Sequence, residues 1–81
     1  MNGKGKEYNY KGNLEFEGEY YNGKKDGKGK QYNYDGQLIF EGEYLKGNIW
    51  NGKGMDYYYD NQILVLQYFN GEIINKMIYK K

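Results

Sequence analysis

The chain contains no cysteine, histidine or proline, and no serine, threonine, alanine or arginine. Without cysteine there is no disulfide to brace the fold, and the redox compartment leaves no trace in the sequence. Without histidine or cysteine the usual zinc ligands are missing, so no metal site is expected. Nucleophilic triads need Ser, Cys or Thr working with His, and none can be assembled here. Twelve lysines against 11 acidic residues leave a net charge of +1. That balance exerts no global pull toward nucleic acid or membrane. No apolar run approaches the roughly 18 residues of a membrane span. Met1-Asn2-Gly3-Lys4 opens without an apolar core segment, so no signal peptide is expected. An intracellular chain, soluble or peripheral to a membrane, is the corresponding expectation.

What is present is aromatic and glycine-rich: 12 Tyr, 3 Phe, 1 Trp and 13 Gly in 81 residues. That length predicts one small domain, residues 1–81. A chain this short buries only about 60% of its unfolded surface and is marginal without help. The aromatics argue against disorder, because each buries a large area.

The organising feature is a repeat. Phe16-Glu17-Gly18-Glu19-Tyr20 recurs 24 residues later as Phe40-Glu41-Gly42-Glu43-Tyr44. Read in register, repeats begin at Gly3, Gly27 and Gly52 and cover about 3–26, 27–51 and 52–76, with 77–81 as a tail. A fixed period of this size marks a solenoid or an array, either whole or part of a longer one.

Within each repeat the residues alternate. Tyr8 and Tyr10 alternate with Glu7 and Asn9, and Leu14, Phe16, Gly18 and Tyr20 with Glu15, Glu17 and Glu19. Period two means strand. Lys11-Gly12-Asn13, Asp35-Gly36-Gln37 and Asp60-Asn61-Gln62 lie between the runs and are turn-formers. Each repeat is therefore a predicted β-hairpin, and the fold class is all-β: an elongated single-layer antiparallel meander of stacked hairpins. A three-residue loop is expected at residues 11–13, pairing Tyr10 with Leu14, Tyr8 with Phe16 and Lys6 with Gly18, since that register gathers the large apolar groups on one face. After a wide turn over residues 22–27, Tyr32 is expected opposite Gly18 and Tyr34 opposite Phe16. Gly18 and Gly42 then become gaps covered by Tyr32 and Tyr57 rings. The opposite face would carry Glu7, Glu15, Glu17, Glu19, Gln31, Asn33, Glu41 and Glu43. Gly18, Gly23, Gly27, Gly29, Gly42, Gly47, Gly52 and Gly54 are assigned structural roles.

In the third repeat Ile63, Val65 and Phe69 are read as the apolar row, with Gln67 in the glycine position and Leu64 and Leu66 on the outer face. The end of the chain, from Glu72 on, could form a last strand or a short helix, and its β-branched and aromatic residues favour the strand. Ile73, Ile74, Met77, Ile78 and Tyr79 are expected to fold over Leu64 and Leu66 as a cap; a homodimer through those leucines or the C-terminal edge is the rival arrangement.

Three surfaces could carry function. The aromatic row of Tyr8, Tyr10, Phe16, Tyr20, Tyr32, Tyr34, Phe40, Tyr44, Tyr57 and Tyr59 is a candidate binding face, because a single layer cannot cover it all. Lys24, Lys25, Lys28 and Lys53 gather near the wide turns and would attract anionic lipid. Glu15, Glu17 and Glu19 lie about 7 Å apart along a strand. A flat wet face cannot raise a carboxyl pKa by burial, so they are read as solvated rather than catalytic. Gly47-Asn48-Ile49-Trp50-Asn51-Gly52-Lys53 matches a phosphate-binding loop for seven positions, but Gly54 stands where Ser or Thr must hold magnesium. No nucleotide or other cofactor is expected.

The pattern Phe16-x-Gly18-x-Tyr20-x-x-Gly23-x-x-x-Gly27-x-Gly29, followed by Tyr32, Tyr34 and Gly36, resembles the MORN repeat. Phe40-x-Gly42-x-Tyr44-x-x-Gly47 continues it, and Gly3-x-Gly5 with Tyr8, Tyr10 and Gly12 looks like the back half of a preceding copy. The likeness spans roughly residues 3 to 60. It is to the variant repeats of bacteria and protists, with an added residue near Trp50 and Gln67 in place of the strand glycine in the third copy. The resemblance implies a ladder of hairpins that acts as a scaffold, binds proteins or self-associates. It also implies anionic phospholipid or an antitoxin-like partner as alternatives. A sugar or cell-wall ligand on the aromatic face is a further alternative, although modules of that kind use paired Trp and Trp50 stands alone. A non-catalytic protein-interaction module is the leading expectation, with no enzyme activity and no nucleic acid.

Overall fold

Seven antiparallel strands lie side by side in chain order: β1 (Gly3–Tyr8), β2 (Leu14–Tyr21), β3 (Lys24–Tyr32), β4 (Leu38–Leu45), β5 (Asn48–Tyr57), β6 (Gln62–Phe69) and β7 (Glu72–Lys80). This computed structural model describes residues 2–80. The sheet is a single open layer, 40 × 32 × 13 Å. Glu72–Lys80 form a strand rather than a helix, and the all-β meander is as the alternation of residues predicts.

Two kinds of hairpin alternate. Asn22-Gly23, Lys46-Gly47 and Asn70-Gly71 each have both φ positive, from 51° to 89°. They close the pairs Tyr21↔Lys24, Leu45↔Asn48 and Phe69↔Glu72. These are two-residue turns whose backbone matches the twist of the flanking strands. The wide turn expected over residues 22–27 is therefore absent. Lys24 onward is already strand, and the surplus residues form a bulge, since Gly18 pairs with Gly29 but Tyr20 with Lys25.

Each tight turn is strapped to the strand before its hairpin, or, for the first, to the residue that leads into that strand. Asn22 N–H donates to Asn2 Oδ1 (2.7 Å), Lys46 N–H to Asp26 Oδ2 (3.1 Å) and Asn70 N–H to Asn51 Oδ1 (2.9 Å). Of the other connections, those after β1 and β3 are five-residue loops, and the one between β5 and β6 has four residues, 58–61, with a 3-10 turn over Tyr59–Asn61. Asn9 Oδ1 accepts from the N–H of Lys11 and Asn13, and Asn33 Oδ1 from those of Asp35 and Gln37. An Asn side chain that satisfies two backbone donors makes the longer loop the stable one.

These loops overturn the expected register. Tyr8 pairs with Leu14, Glu7 with Phe16 and Gly5 with Gly18, not Tyr10 with Leu14 or Lys6 with Gly18. Likewise Gln31 pairs with Phe16 and Gly29 with Gly18, where Tyr34 and Tyr32 were expected; Gly42 pairs with Gly29 and Gly52, not with Tyr57. Opposed residues share a face. Glu7 and Gln31 thus lie with the rings, and Lys6 lies with the glutamates.

The third repeat changes phase. Glu7 and Phe16 are nine residues apart and so are Gln31 and Phe40, but Asp56 pairs with Leu64, eight away. The bulge of the first two hairpins is absent from the β5–β6 pair, and a one-residue slip moves a strand's side chains to the other face. Leu64, Leu66 and Tyr68 therefore continue the aromatic face, and Ile63, Val65 and Gln67 fall opposite; the expected assignment is reversed. Residues 73–79 do not fold over Leu64 and Leu66. They extend the sheet, with Ile78 beside Leu64 and Lys76 beside Leu66.

Candidate functional site

The aromatic face is built around Phe16, Tyr20, Phe40 and Tyr44, all buried, with Phe16 only 1% exposed. Ile49 and Tyr68 pack against them. The rings meet edge to face in one continuous series: Tyr20–Phe16 at 5.6 Å, Phe16–Tyr44 at 5.2 Å, Tyr44–Phe40 at 5.2 Å and Phe40–Tyr68 at 5.9 Å between centroids. Their floor is the glycine row Gly5, Gly18, Gly29, Gly42 and Gly52, mutually paired across five strands. A Cβ on Gly29 would stand 2.7 Å from the Phe16 ring and 3.0 Å from the Tyr44 ring. Aromatic rings do cover strand glycines, but the covering rings are Phe16, Tyr44 and Phe40, not Tyr32 and Tyr57.

Two polar groups close the face. The Tyr20 hydroxyl donates to the Glu7 carboxylate and the Tyr44 hydroxyl to Gln31 Oε1 (2.9 Å). Burial, then the Glu7 carboxylate beside it, pushes the Tyr20 phenol up to about 12. Burial also raises the Tyr44 phenol, with the charge of Glu7 adding to it. Both stay neutral donors in the folded chain. Lys25 lies over this cluster, its ammonium 4.4 Å from the Phe16 centroid and 5.9 Å from that of Tyr44.

The ten aromatic candidates therefore do not make one platform. Four are core. Tyr32 lies with the charges, its hydroxyl donating to Glu17 (3.4 Å), and the Tyr57 hydroxyl donates to the Leu38 carbonyl (2.5 Å). Tyr8, Tyr10, Tyr34 and Tyr59 are exposed at or beside the wide loops. Tyr10 and Tyr34 meet there, hydroxyls 2.5 Å and centroids 5.8 Å apart, with Lys11 5.0 Å from the Tyr34 centroid.

The opposite face holds a shallow open groove of about 1070 Å³ along the backs of the glycines. Lys4 and Lys6, Glu17 and Glu19, Lys28 and Lys30, then Glu41 and Glu43 flank it strand by strand. Lysine therefore stands opposite glutamate across each strand boundary of this groove, and one pair, Lys30 and Glu41, closes to 3.5 Å. Glu19 also accepts the Lys28 N–H at 2.7 Å, inside the β2–β3 bulge. Of the proposed lipid-binding lysines, Lys28 and Lys53 belong to these alternating rows and Lys25 covers rings on the other face. Sequence reasoning missed this interleaving because it depends on register.

The third surface is the outer edge of β7. Every residue of β7 is exposed, and Ile73, Ile74, Met77, Ile78 and Tyr79 are 46–66% exposed. Only one neighbour, β6, is bonded to it among the described residues. The available signal was the lack of strict alternation of apolar and polar residues over 73–79. Among the described residues no cluster of acidic side chains is arranged to hold a metal ion, and no helix is long and apolar enough to cross a membrane. No protein-family model, no curated protein and no solved structure matches this chain.

Proposed function

We propose that this chain is a non-catalytic protein-interaction module that takes its partner by strand addition along β7. The observation that carries this reading is a nine-residue edge strand with apolar side chains on both faces and a row of unpaired backbone donors and acceptors. Such an edge is a template for another strand, and main-chain bonds supply affinity while alternate side chains supply specificity. The MORN resemblance supports the same reading. The buried state of Phe16, Tyr20, Phe40 and Tyr44 moves the contact away from the aromatic row and toward the edge.

Peptides selected by display against the immobilised chain test it. Apolar, β-branched segments should be enriched, and they should lose at least tenfold in affinity for a variant carrying Ile74→Lys and Ile78→Lys. Equal binding to parent and variant would overturn the assignment to β7.

A further inference from the structure

We infer that the strand which adds to β7 is β7 of a second copy, in a two-fold register centred on Met77. This rests on the strand-addition reading above and names its partner. Three observations support it.

The first is direction. The meander has an odd number of strands, so β1 and β7 run the same way. Stacking copies by simple repetition would bring β7 against β1 in parallel and break the antiparallel pattern. A two-fold axis perpendicular to the sheet brings β7 against β7 antiparallel, which continues it.

The second is charge. β7 pairs without interruption over Asn75–Lys80, and a bulge at Ile74 ends the run. Opposed residues in antiparallel strands share a face, and like charges directly opposite are unfavourable. A two-fold centred on Lys76 sets that lysine against its own copy. One centred on Ile78 sets Lys76 against Lys80 of the second copy. Centring on Asn75 or Tyr79 opposes no two lysines but keeps only residue 75 or residues 78–80 of that run in the ladder. The register centred on Met77 also opposes none and keeps residues 75–79. It places Asn75 beside Tyr79, Lys76 beside Ile78 and Met77 beside Met77.

The third is the other edge. Any two-fold pairing of β1 centred on Lys4, Gly5 or Lys6 puts lysine opposite lysine. The edge that repels itself is β1, so pairing through β7 closes at two copies instead of growing into a filament.

A cysteine scan of the full chain tests the register, since the parent has no thiol. Opposed Cα atoms in an antiparallel pair are about 4.5–5.5 Å apart, within the span a disulfide bridges. Single variants Asn75→Cys, Lys76→Cys, Met77→Cys and Ile78→Cys are oxidised gently and run without reductant. Met77→Cys should cross-link most completely, while Asn75→Cys, four residues out of register with its copy, should stay monomeric. Preferential cross-linking at residue 76 or 78 would overturn the register. In sedimentation the parent should have twice its 9.6 kDa chain mass. Met77→Lys, with strand content checked by circular dichroism, should sediment as a monomer. A monomeric parent that still takes up selected strand peptides overturns the second-copy inference and leaves the proposed function standing. A monomeric parent that takes up none overturns both.

Discussion

At Gly18 a hydrogen atom is all the space allows. An added Cβ would lie 2.5 Å from the Lys28 carbonyl oxygen and 2.6 Å from the Gly29 Cα, both backbone atoms that cannot swing aside. Gly18→Val should therefore lower stability by about 1–3 kcal/mol, read as a lower urea midpoint. Tyr20 provides a second, independent handle. Its phenol titrates near 10 when unfolded and is pushed up to about 12 in the fold, chiefly by burial. Between those values the unfolded chain binds fewer protons, so stability falls as pH rises. The melting temperature should be insensitive to this group below pH 10 and decline from pH 10 toward 12. In Tyr20→Phe the alkaline decline should be shallower, although the loss of the bond to Glu7 lowers stability at neutral pH as well. An equally steep decline in the variant would remove Tyr20 from the account.

At the scale of the element, the tight turns differ in one residue. Their first position holds Asn22, Lys46 and Asn70, all with φ of 51–52°. Asn tolerates this left-handed backbone better than Lys does. Because the strap to Asp26 uses the Lys46 backbone N–H, changing the side chain leaves it in place. Lys46→Asn should stabilise the chain by about 0.5–1 kcal/mol in denaturant titration. In sequence Asn22-Gly23 reads as part of a wider turn and Asn70-Gly71 does not stand out, but the strands of the first two repeats were legible in the residues, since period-two alternation bounded by glycine-containing turns is a local signal. Register was not. Whether Tyr8 faces Leu14 or Phe16 depends on Asn9 satisfying two loop donors, and that choice propagates to every face assignment downstream. The reversal in β6 has the same origin, a bulge present in two hairpins and absent from the third.

Across the whole molecule, one layer 13 Å deep has two faces and two edges to account for. The composition already limited what the faces could do, because near-neutral charge and missing nucleophiles are visible without a fold. Which tyrosines are sealed and which lysines are neutralised by neighbours depends on pairing, so the binding candidates on both faces were only partly legible. Lys6, Lys30 and Lys53 alternate with Glu17 and Glu41 along one row. At physiological ionic strength, with screening over about 8 Å, this row should present little net positive field to a membrane. Sedimentation with anionic vesicles should leave most of the chain in the supernatant, and Lys24→Glu with Lys25→Glu should change that little. Tight, salt-sensitive co-sedimentation lost in that double variant would instead favour the lipid alternative.

The edge-to-face series of rings that runs from Tyr20 to Tyr68 also has an optical consequence. Its members stand 5–6 Å apart, and the chain's single indole, Trp50, lies on the neighbouring β5, close enough to Gly71 that a Cβ there would be 3.2 Å from it. Light absorbed by a phenol can pass through space, by dipole coupling, to the one indole. The folded chain, excited where tyrosine absorbs, should emit with a tryptophan spectrum, and tyrosine emission should emerge on unfolding. Trp50→Phe should restore tyrosine emission to the folded state, making the sheet's own packing the reporter of its integrity.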